Sequence, residues 1–113
     1  MLIVDDDPAT LFLLGAALNG QDIPVQTAAN GARAIEMLAE QEYRLILLDL
    51  LMPVSDGYDV IDHLATHHDD TPVIVMTGRT APSVDRPFPR NVQALLRKPL
   101  DLSQLINLVQ SMR

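Results

Sequence analysis

Short apolar segments alternate with stretches of helical spacing along this chain, and the alternation leaves few folds open. The apolar segments lie at residues 2–4, 25–28, 45–48 and 73–76, with a weaker one at 92–96. The third and fourth segments are apolar at every position rather than at every second one, which is typical of strands covered on both faces. Strands and helices that alternate in this way predict an α/β fold, in which a parallel sheet carries helices on both faces.

The stretches between the strands repeat apolar residues every three or four positions, as amphipathic helices do. The first helix is predicted over residues 8–19, with Asp7 as its N-cap. Further helices are predicted to begin near Asn30, after Gly57 and near Asp101. We expect the following residues on the core faces of these helices: Leu11, Leu14, Leu18, Ile35, Leu38, Val60, Ile61, Leu64, Leu102, Leu105, Ile106 and Val109.

Residues 78–89 interrupt the alternation. They include Pro82, Pro87 and Pro89, which leave no room for a long regular helix because proline lacks the amide hydrogen and disfavours helical backbone in the preceding residue. We therefore predict a loop with room for one helical turn.

The length of 113 residues fits one compact domain, and the 48% hydrophobic content is enough to fill a single core. The chain has no cysteine, which excludes a disulfide scaffold, a zinc finger and thiol catalysis. Its apolar runs are far shorter than the roughly 20 residues that a membrane span needs, and no basic, cleavable leader precedes the first of them. We therefore expect a soluble, cytoplasmic domain.

Acidic residues outnumber basic ones, 15 to 8, which gives a net charge of -7. A surface of this sign repels phosphate backbones, so direct binding of nucleic acid is disfavoured. The acidic residues are mainly aspartates, which are favoured at caps, in loops and at metal sites. This bias points to chemistry in loops or at strand ends.

In an open α/β sheet, ligands bind beyond the carboxyl ends of the strands, so the residues that follow each apolar segment are the candidates for a site. They are Asp5 and Asp6 after the first strand, Asp49 after the third, Thr77 after the fourth and Lys98 after the fifth. Carboxylates brought together repel each other unless a cation lies among them. Because oxygen ligands of high charge density suit a hard divalent ion, the sequence predicts a Mg²⁺ site at this edge.

Asp49 follows four apolar residues, which predicts a position at the centre of this edge. A carboxylate there is suited to attack phosphorus and form an aspartyl phosphate, while the metal ion, Thr77 and Lys98 each take one negative oxygen. Lys98 is the only lysine of the chain, which favours a compact point charge at this strand end. Taken singly, these residues have ordinary explanations as caps, turn residues or solvated loop residues. Their joint occurrence at four strand ends is what indicates a site.

Four strings of the sequence resemble the receiver domain of two-component response regulators: LIVDDDP at 2–8, LILLDLLMPVSDG at 45–57, VIVMTG at 73–78 and LRKPL at 96–100. The resemblance covers essentially the whole chain. It implies a single receiver domain over residues 1–113, with a flavodoxin-like, five-stranded parallel sheet and helices on both faces. The family's fourth helix, which follows the fourth strand, is expected to be short or replaced by a proline-rich loop.

The resemblance also implies roles for the strand-end residues. Asp49 is expected to be phosphorylated from a sensor histidine kinase or a histidine phosphotransfer protein. Mg²⁺ is expected to be held by Asp5, Asp6, Asp49 and the backbone carbonyl of Leu51. Thr77 and Lys98 are expected to bind the phosphoryl oxygens, with a cis peptide bond between Lys98 and Pro99.

Two further positions depart from the family's pattern. Leu95 stands three positions before the lysine, where the family often has an aromatic residue whose rotation accompanies activation. Arg79 is bulky and charged, whereas small residues usually follow the threonine. Both departures concern how a signal leaves the domain rather than the phosphorylation chemistry.

Three functions are compatible with these features. The favoured one is a phosphorylation-controlled signalling module, which catalyses only its own phosphotransfer and dephosphorylation and is not otherwise an enzyme. The alternative is a phosphorylation-independent interaction domain with a receiver fold. A magnesium-dependent phosphatase ranks last, because the position that would carry its general acid is Leu51. The cognate kinase, the output and a homodimer remain open.

Overall fold

The structure, a computed structural model, describes residues 1–50, 57–78 and 88–112. The predicted strands and helices are confirmed, and each predicted strand end lies within one residue of the observed one. Most of the stretch 78–89, predicted as a loop, lies outside the described residues, as does Leu51. In chain order the elements are β1 (Leu2–Val4), α1 (Pro8–Asn19), β2 (Gln26–Ala28), α2 (Gly31–Glu40), β3 (Ile46–Asp49), α3 (Gly57–Thr66), β4 (Val73–Thr77), β5 (Val92–Arg97) and α4 (Leu102–Ser111).

The strands form one parallel sheet in the order β2-β1-β3-β4-β5, as expected for a flavodoxin-like α/β fold. The chain runs outward from β1 to β2 and then crosses to β3 on the other side of β1. This reversal makes the gap between β1 and β3 the topological switch point, where α/β sheets leave a crevice at the carboxyl ends of the strands.

Two apolar layers cover the sheet. The side chains of α2 and α3 pack on one face, against residues such as Val4 and Leu48, and those of α1 and α4 pack on the other, against residues such as Ile3 and Leu47. All four of these central-strand residues are fully buried. The uninterrupted apolar segments of the sequence are therefore explained by burial of both faces.

The residues predicted on the core face of α2 pack against the core, but two others of that helix are more deeply buried. Ala34 and Met37 are buried, whereas Ile35 and Leu38 are only partly buried at the margin of the core. The predicted core positions of the other helices lie in or against the two apolar layers.

Side-chain caps begin three of the helices where the sequence predicts them. Asp7 accepts hydrogen bonds from the Ala9 amide at 3.1 Å and the Thr10 hydroxyl at 2.7 Å. Asn30 and Asp101 cap α2 and α4 in the same manner. Each cap satisfies amide hydrogens that have no partner inside the helix. None of the helices in the described part of the chain combines the length and apolar character needed to cross a membrane.

Candidate functional site

The carboxyl ends of four strands bring the predicted site residues to one edge of the sheet. Val4 of β1 pairs with Leu48 of β3, so Asp5 and Asp49 follow at the same level on adjacent strands. Thr77 ends β4 and pairs with Arg97, and the next residue on β5 is Lys98, whose amide donates to the Thr77 carbonyl at 2.8 Å. β5 has one extra residue, Gln93, between Val92 and Ala94, which are the partners of Val73 and Ile74. This bulge sets the register that places Lys98 next to Thr77. The sheet thus collects residues that are far apart in sequence.

Three carboxylates lie together at this edge. Asp5, Asp6 and Asp49 each contribute an oxygen, and the three oxygens lie within 4.8 Å of one another. Asp5 is fully buried and Asp49 is 4% exposed, whereas Asp6 faces solvent. Negative charges this close repel strongly where water is excluded, so the arrangement favours a cation among them. An all-oxygen donor set that is open to solvent at Asp6 fits a hard divalent metal ion.

Lys98 lies between the two buried carboxylates. Its Nζ is 2.7 Å from Oδ2 of Asp5 and 3.2 Å from Oδ2 of Asp49. Burial by itself lowers the pKa of Lys98, but the hydrogen bond to Asp5 and the charges of Asp49 and Asp5 outweigh it, so the pKa is raised above its ordinary value. The side chain therefore carries a positive charge that offsets part of the negative charge at this edge.

The three consecutive aspartates of residues 5–7 have different environments. The Oδ1 atom of Asp5 accepts the amide hydrogen of Asp7 at 2.9 Å, which leaves Oδ2 for Lys98. Asp7 caps α1, and the hydrogen bonds from Thr10 and Ala9 lower its pKa. Asp5 and Asp6 are thus the members of this run that lie in the carboxylate cluster, while Asp7 caps the helix.

The hydroxyl of Thr77 is buried and, among the described residues, has no hydrogen-bond partner. The residue is only 4% exposed. An unsatisfied buried hydroxyl costs about 1–3 kcal/mol, which a fold rarely tolerates without a reason. A donor kept in this state beside a carboxylate cluster is suited to a ligand that brings its own acceptor oxygen.

The remaining predictions for this edge concern the backbone. The peptide bond between Lys98 and Pro99 is cis, as the resemblance implied. The carbonyl of Leu51, which it implied as a metal ligand, lies outside the described residues.

An apolar groove beside Lys98 was missed by the sequence reasoning. It has a volume of about 470 Å³ and is lined by Thr10, Leu13, Leu14, Lys98, Pro99, Leu100 and Leu102. On α1, which carries no charged residue, Phe12 is 80% exposed and Leu13 is 54% exposed. That absence of charge was the available signal, because a helix with one solvent-facing side ordinarily carries charged residues there.

A second cavity of similar volume lies at the opposite edge of the sheet. Residues at the amino ends of three strands line it, among them Met1, Val25 and Leu45. It is remote from the carboxylates, and its size alone indicates no chemistry.

Comparison with known proteins agrees with this geometry. The family model described as "Response regulator receiver domain" matches residues 1–110. The DNA-binding transcriptional regulator NtrC of a Bradyrhizobium strain is 31% identical over 110 residues, which are 96% of this chain and 23% of that protein. The heme response regulator HssR of Staphylococcus aureus is 31% identical over 106 residues, which are 93% of this chain and 47% of that protein. The chain thus spans less than half the length of these relatives.

Solved structures show the same likeness. The response regulator TrrA from Thermotoga maritima, crystallised in complex with Mg²⁺ and BeF, is 25% identical, with a TM-score of 0.84 over 99% of this chain and 96% of that one. The receiver domain of NtrX from Brucella abortus is 25% identical, with a TM-score of 0.83 over 98% of this chain and 95% of that one. With the strand order and the carboxylate cluster described above, these matches show that the chain belongs to the response regulator receiver domain family of two-component systems.

Proposed function

We propose that residues 1–113 form one phosphorylation-controlled signalling domain that accepts a phosphoryl group on Asp49. The observation that carries this proposal is the position of the Asp49 carboxylate, which lies 3.2 Å from the Lys98 ammonium and beside the carboxylates of Asp5 and Asp6. A nucleophile among two acids and a cation is suited to phosphorus chemistry, because charge on the phosphoryl oxygens needs neutralising.

The phosphoryl donor is a phosphohistidine on a sensor histidine kinase or a histidine phosphotransfer protein. An oxygen of Asp49 forms a bond to phosphorus while the bond from phosphorus to the histidine nitrogen breaks, and the electron pair of that bond stays on the nitrogen. When the other ring nitrogen of the phosphohistidine carries a proton, the products are an aspartyl phosphate and a neutral imidazole. Water later hydrolyses the acyl phosphate and restores the carboxylate. The domain thus catalyses only its own phosphotransfer and dephosphorylation.

The charge arrangement supports a divalent metal ion as part of this function. Asp5, Asp6, Asp49 and the backbone carbonyl of Leu51 would hold Mg²⁺, as the all-oxygen cluster supports. When bound, Mg²⁺ supplies positive charge against the phosphoryl oxygens and so permits their approach to the carboxylate. Among these ligands, Asp5 is held in a fixed position, because it is fully buried and its Oδ1 accepts a hydrogen bond from the Asp7 amide.

Thr77 and Lys98 bind the transferred group. The Thr77 hydroxyl donates to a phosphoryl oxygen and thereby gains the partner that it lacks among the described residues. Lys98 exchanges its contact with the Asp49 carboxylate for one with the phosphoryl oxygens. Thr77 ends β4 and Lys98 follows β5, so their movement shifts the population of conformations at the carboxyl ends of these two strands. A partner or an output domain reads that shift.

The apolar surface of α1 supports docking of the donor protein. Phe12 and Leu13 are exposed, and the groove beside them reaches Lys98. A protein that brings a phosphohistidine to Asp49 must cover this neighbourhood, and burial of these side chains would stabilise the complex. Such a donor and this domain would meet in the cytoplasm.

A phosphorylation-independent interaction domain is the second candidate. The observation that favours it is Leu95, which is 41% exposed on β5, where an aromatic switch residue is common in the family. Its signature is binding of a partner protein that ignores Mg²⁺, the phosphodonor and substitution of Asp49.

Labelling with a small phosphodonor tests the proposal. Acetyl phosphate with Mg²⁺ is expected to add one phosphoryl group per chain, measured by intact-protein mass spectrometry, and beryllofluoride is expected to block it. Asp49→Asn should abolish labelling. Asp22→Asn is the matched control, because Asp22 is exposed at the other edge of the sheet and has a φ of 60°, which asparagine adopts readily. Equal labelling of Asp49→Asn and wild type would refute the assignment.

A further inference from the structure

The first residue of α3 lies against the backbone that carries Asp49. The Gly57 amide donates a hydrogen bond to the Leu50 carbonyl at 2.8 Å. A Cβ atom added to Gly57 would lie 2.4 Å from the Asp49 carbonyl oxygen and 2.8 Å from the Leu50 Cα. Carbon atoms of real side chains do not approach that closely, and backbone atoms cannot rotate away as the end of a flexible side chain can. Only glycine fits between α3 and this peptide.

The peptide between Asp49 and Leu50 is also held from its other side. The Leu50 amide donates to the Met76 carbonyl of β4 at 3.0 Å, and the Leu50 side chain is buried. The peptide is therefore fixed between β4 and the start of α3. A side chain on Gly57 would have to displace either α3 or the backbone of Asp49.

We infer that Gly57 is a positioning residue for Asp49: the absence of its side chain allows α3 to hold the Asp49–Leu50 peptide where the Asp49 carboxylate meets Asp5 and Lys98. This inference rests on the proposed role of Asp49 and adds a residue that touches neither phosphoryl group nor metal ion. Asp5 is anchored separately, because its amide donates to Ala28 and its Oδ1 accepts from Asp7. Displacement of the Asp49 backbone would therefore change distances within the cluster rather than move the cluster as a whole.

The matched variants are Gly57→Ala and Gly15→Ala. Both lie in helices, where alanine is favoured over glycine by about 1 kcal/mol. A Cβ on Gly15, however, would meet no heavy atom of residues 1–50, 57–78 or 88–112 within 4 Å. A loss specific to Gly57→Ala is therefore due to the close approach to Asp49 and not to helix propensity. A third variant, Gly78→Ala, repeats the control near Thr77, where the added Cβ would meet none of the described residues within 4 Å.

Mg²⁺ affinity and labelling rate are the informative measurements on the full chain. Calorimetric titration of Gly57→Ala is expected to show Mg²⁺ binding weakened by about 10-fold or more, and labelling by acetyl phosphate at saturating Mg²⁺ is expected to be slowed about 10- to 100-fold, as displacements near 1 Å cost in positioned reactions. Both control variants should match wild type. Unchanged Mg²⁺ affinity and labelling rate in folded Gly57→Ala would overturn the inference, even if that variant unfolds more easily.

A second measurement on wild type covers the case in which Gly57→Ala does not fold. The amide hydrogens of Gly57 and Leu50 are expected to exchange as slowly as those inside β3, and exchange at the rate of an open loop would overturn the inference. The proposed function fails separately, since wild type would then not be labelled at all. If wild type and Gly57→Ala are labelled equally well, Gly57 has no positioning role, and the proposed role of Asp49 still stands.

Discussion

Two groups of titratable residues differ in how the fold treats them. At the carboxyl edge of the sheet, Asp5, Asp49 and Lys98 come from three strands, and both aspartates are buried. At the end of α3, His63 lies on the helix and His67 directly follows its last residue, and their rings lie 4.1 Å apart. In the sequence both groups are charge-rich segments next to apolar ones.

Hydrogen bonding explains the difference between the two groups. At the end of α3 the contacts are local: Nδ1 of His67 lies 2.8 Å from the His63 carbonyl, and Asp69 accepts from both the amide and the hydroxyl of Thr71. At the sheet edge the contacts join residues up to 93 positions apart, and the Thr77 hydroxyl has no partner in the described chain. Local contacts are sufficient to end a helix. Buried charges that come from distant parts of the chain, together with an unpaired hydrogen-bond donor, are typical of a ligand-binding site.

Replacement of one side chain in each group is expected to show the largest contrast. Lys98→Met should lower the free energy of unfolding by about 2 kcal/mol, because Asp5 and Asp49 remain buried without the ammonium; the value is below that for a fully buried pair, since Lys98 is 27% exposed. His67→Gln should change it by less than about 0.5 kcal/mol, as is usual on the surface. Urea unfolding followed by circular dichroism measures both.

Mg²⁺ provides the check on that contrast. Added Mg²⁺ should restore most of the stability of Lys98→Met, because a metal ion among the same carboxylates replaces the lost positive charge. It should leave His67→Gln unchanged relative to wild type. Equal losses in the two variants, or a loss in Lys98→Met that Mg²⁺ does not reduce, would contradict the view that the sheet edge is an electrostatically strained cation site.

Two threonines permit a smaller and more specific comparison. Thr77→Val removes a buried hydroxyl that lacks a partner in the described chain, so the free energy of unfolding should stay the same or rise by about 1 kcal/mol. Thr71→Val removes a hydroxyl that bonds to Asp69 and should lower it by about 1 kcal/mol. Labelling by acetyl phosphate should slow in Thr77→Val and not in Thr71→Val. Loss of stability in Thr77→Val would mean that its hydroxyl serves the fold.

Much of this architecture was predictable because the physical causes are local or topological. The apolar segments at residues 45–48 and 73–76 indicate strands buried on both faces, and Asp7 caps α1 as its position before Pro8 predicts. The gathering of Asp5, Asp49, Thr77 and Lys98 at one edge follows from the parallel direction of the strands. The roles of these residues remain predictions until they are tested.

What could not be predicted depends on distances between elements. The burial of Met37 and the only partial burial of Leu38 depend on how α2 packs against the core. The pair Asp56-Gly57 reads as a turn and helix start, but no pattern tells that Gly57 meets the Asp49 carbonyl. The burial of Asp5 and the exposure of Asp6 likewise appear only once α1 is in place.

The smallest expected effect concerns pH at the end of α3. Burial and the charge of His67 lower the pKa of His63 from 6.5, and the opposing effect of Asp69 is weaker. The unfolded chain therefore binds a proton on this residue more readily than the folded one, so its contribution to stability is complete above pH 6.5 and is lost as the pH falls below it. Wild type is expected to lose free energy of unfolding between about pH 7.5 and about pH 5.5, and His63→Gln should lose less. The difference between the two should be less than about 1 kcal/mol, because the ring is partly exposed.

Urea unfolding at both pH values measures this difference, and labelling at Asp49 should be unaffected. A greater loss of stability in acid for His63→Gln than for wild type would show that the histidine pair is stabilised by protonation, and the end of α3 would then resemble the sheet edge in depending on a positive charge.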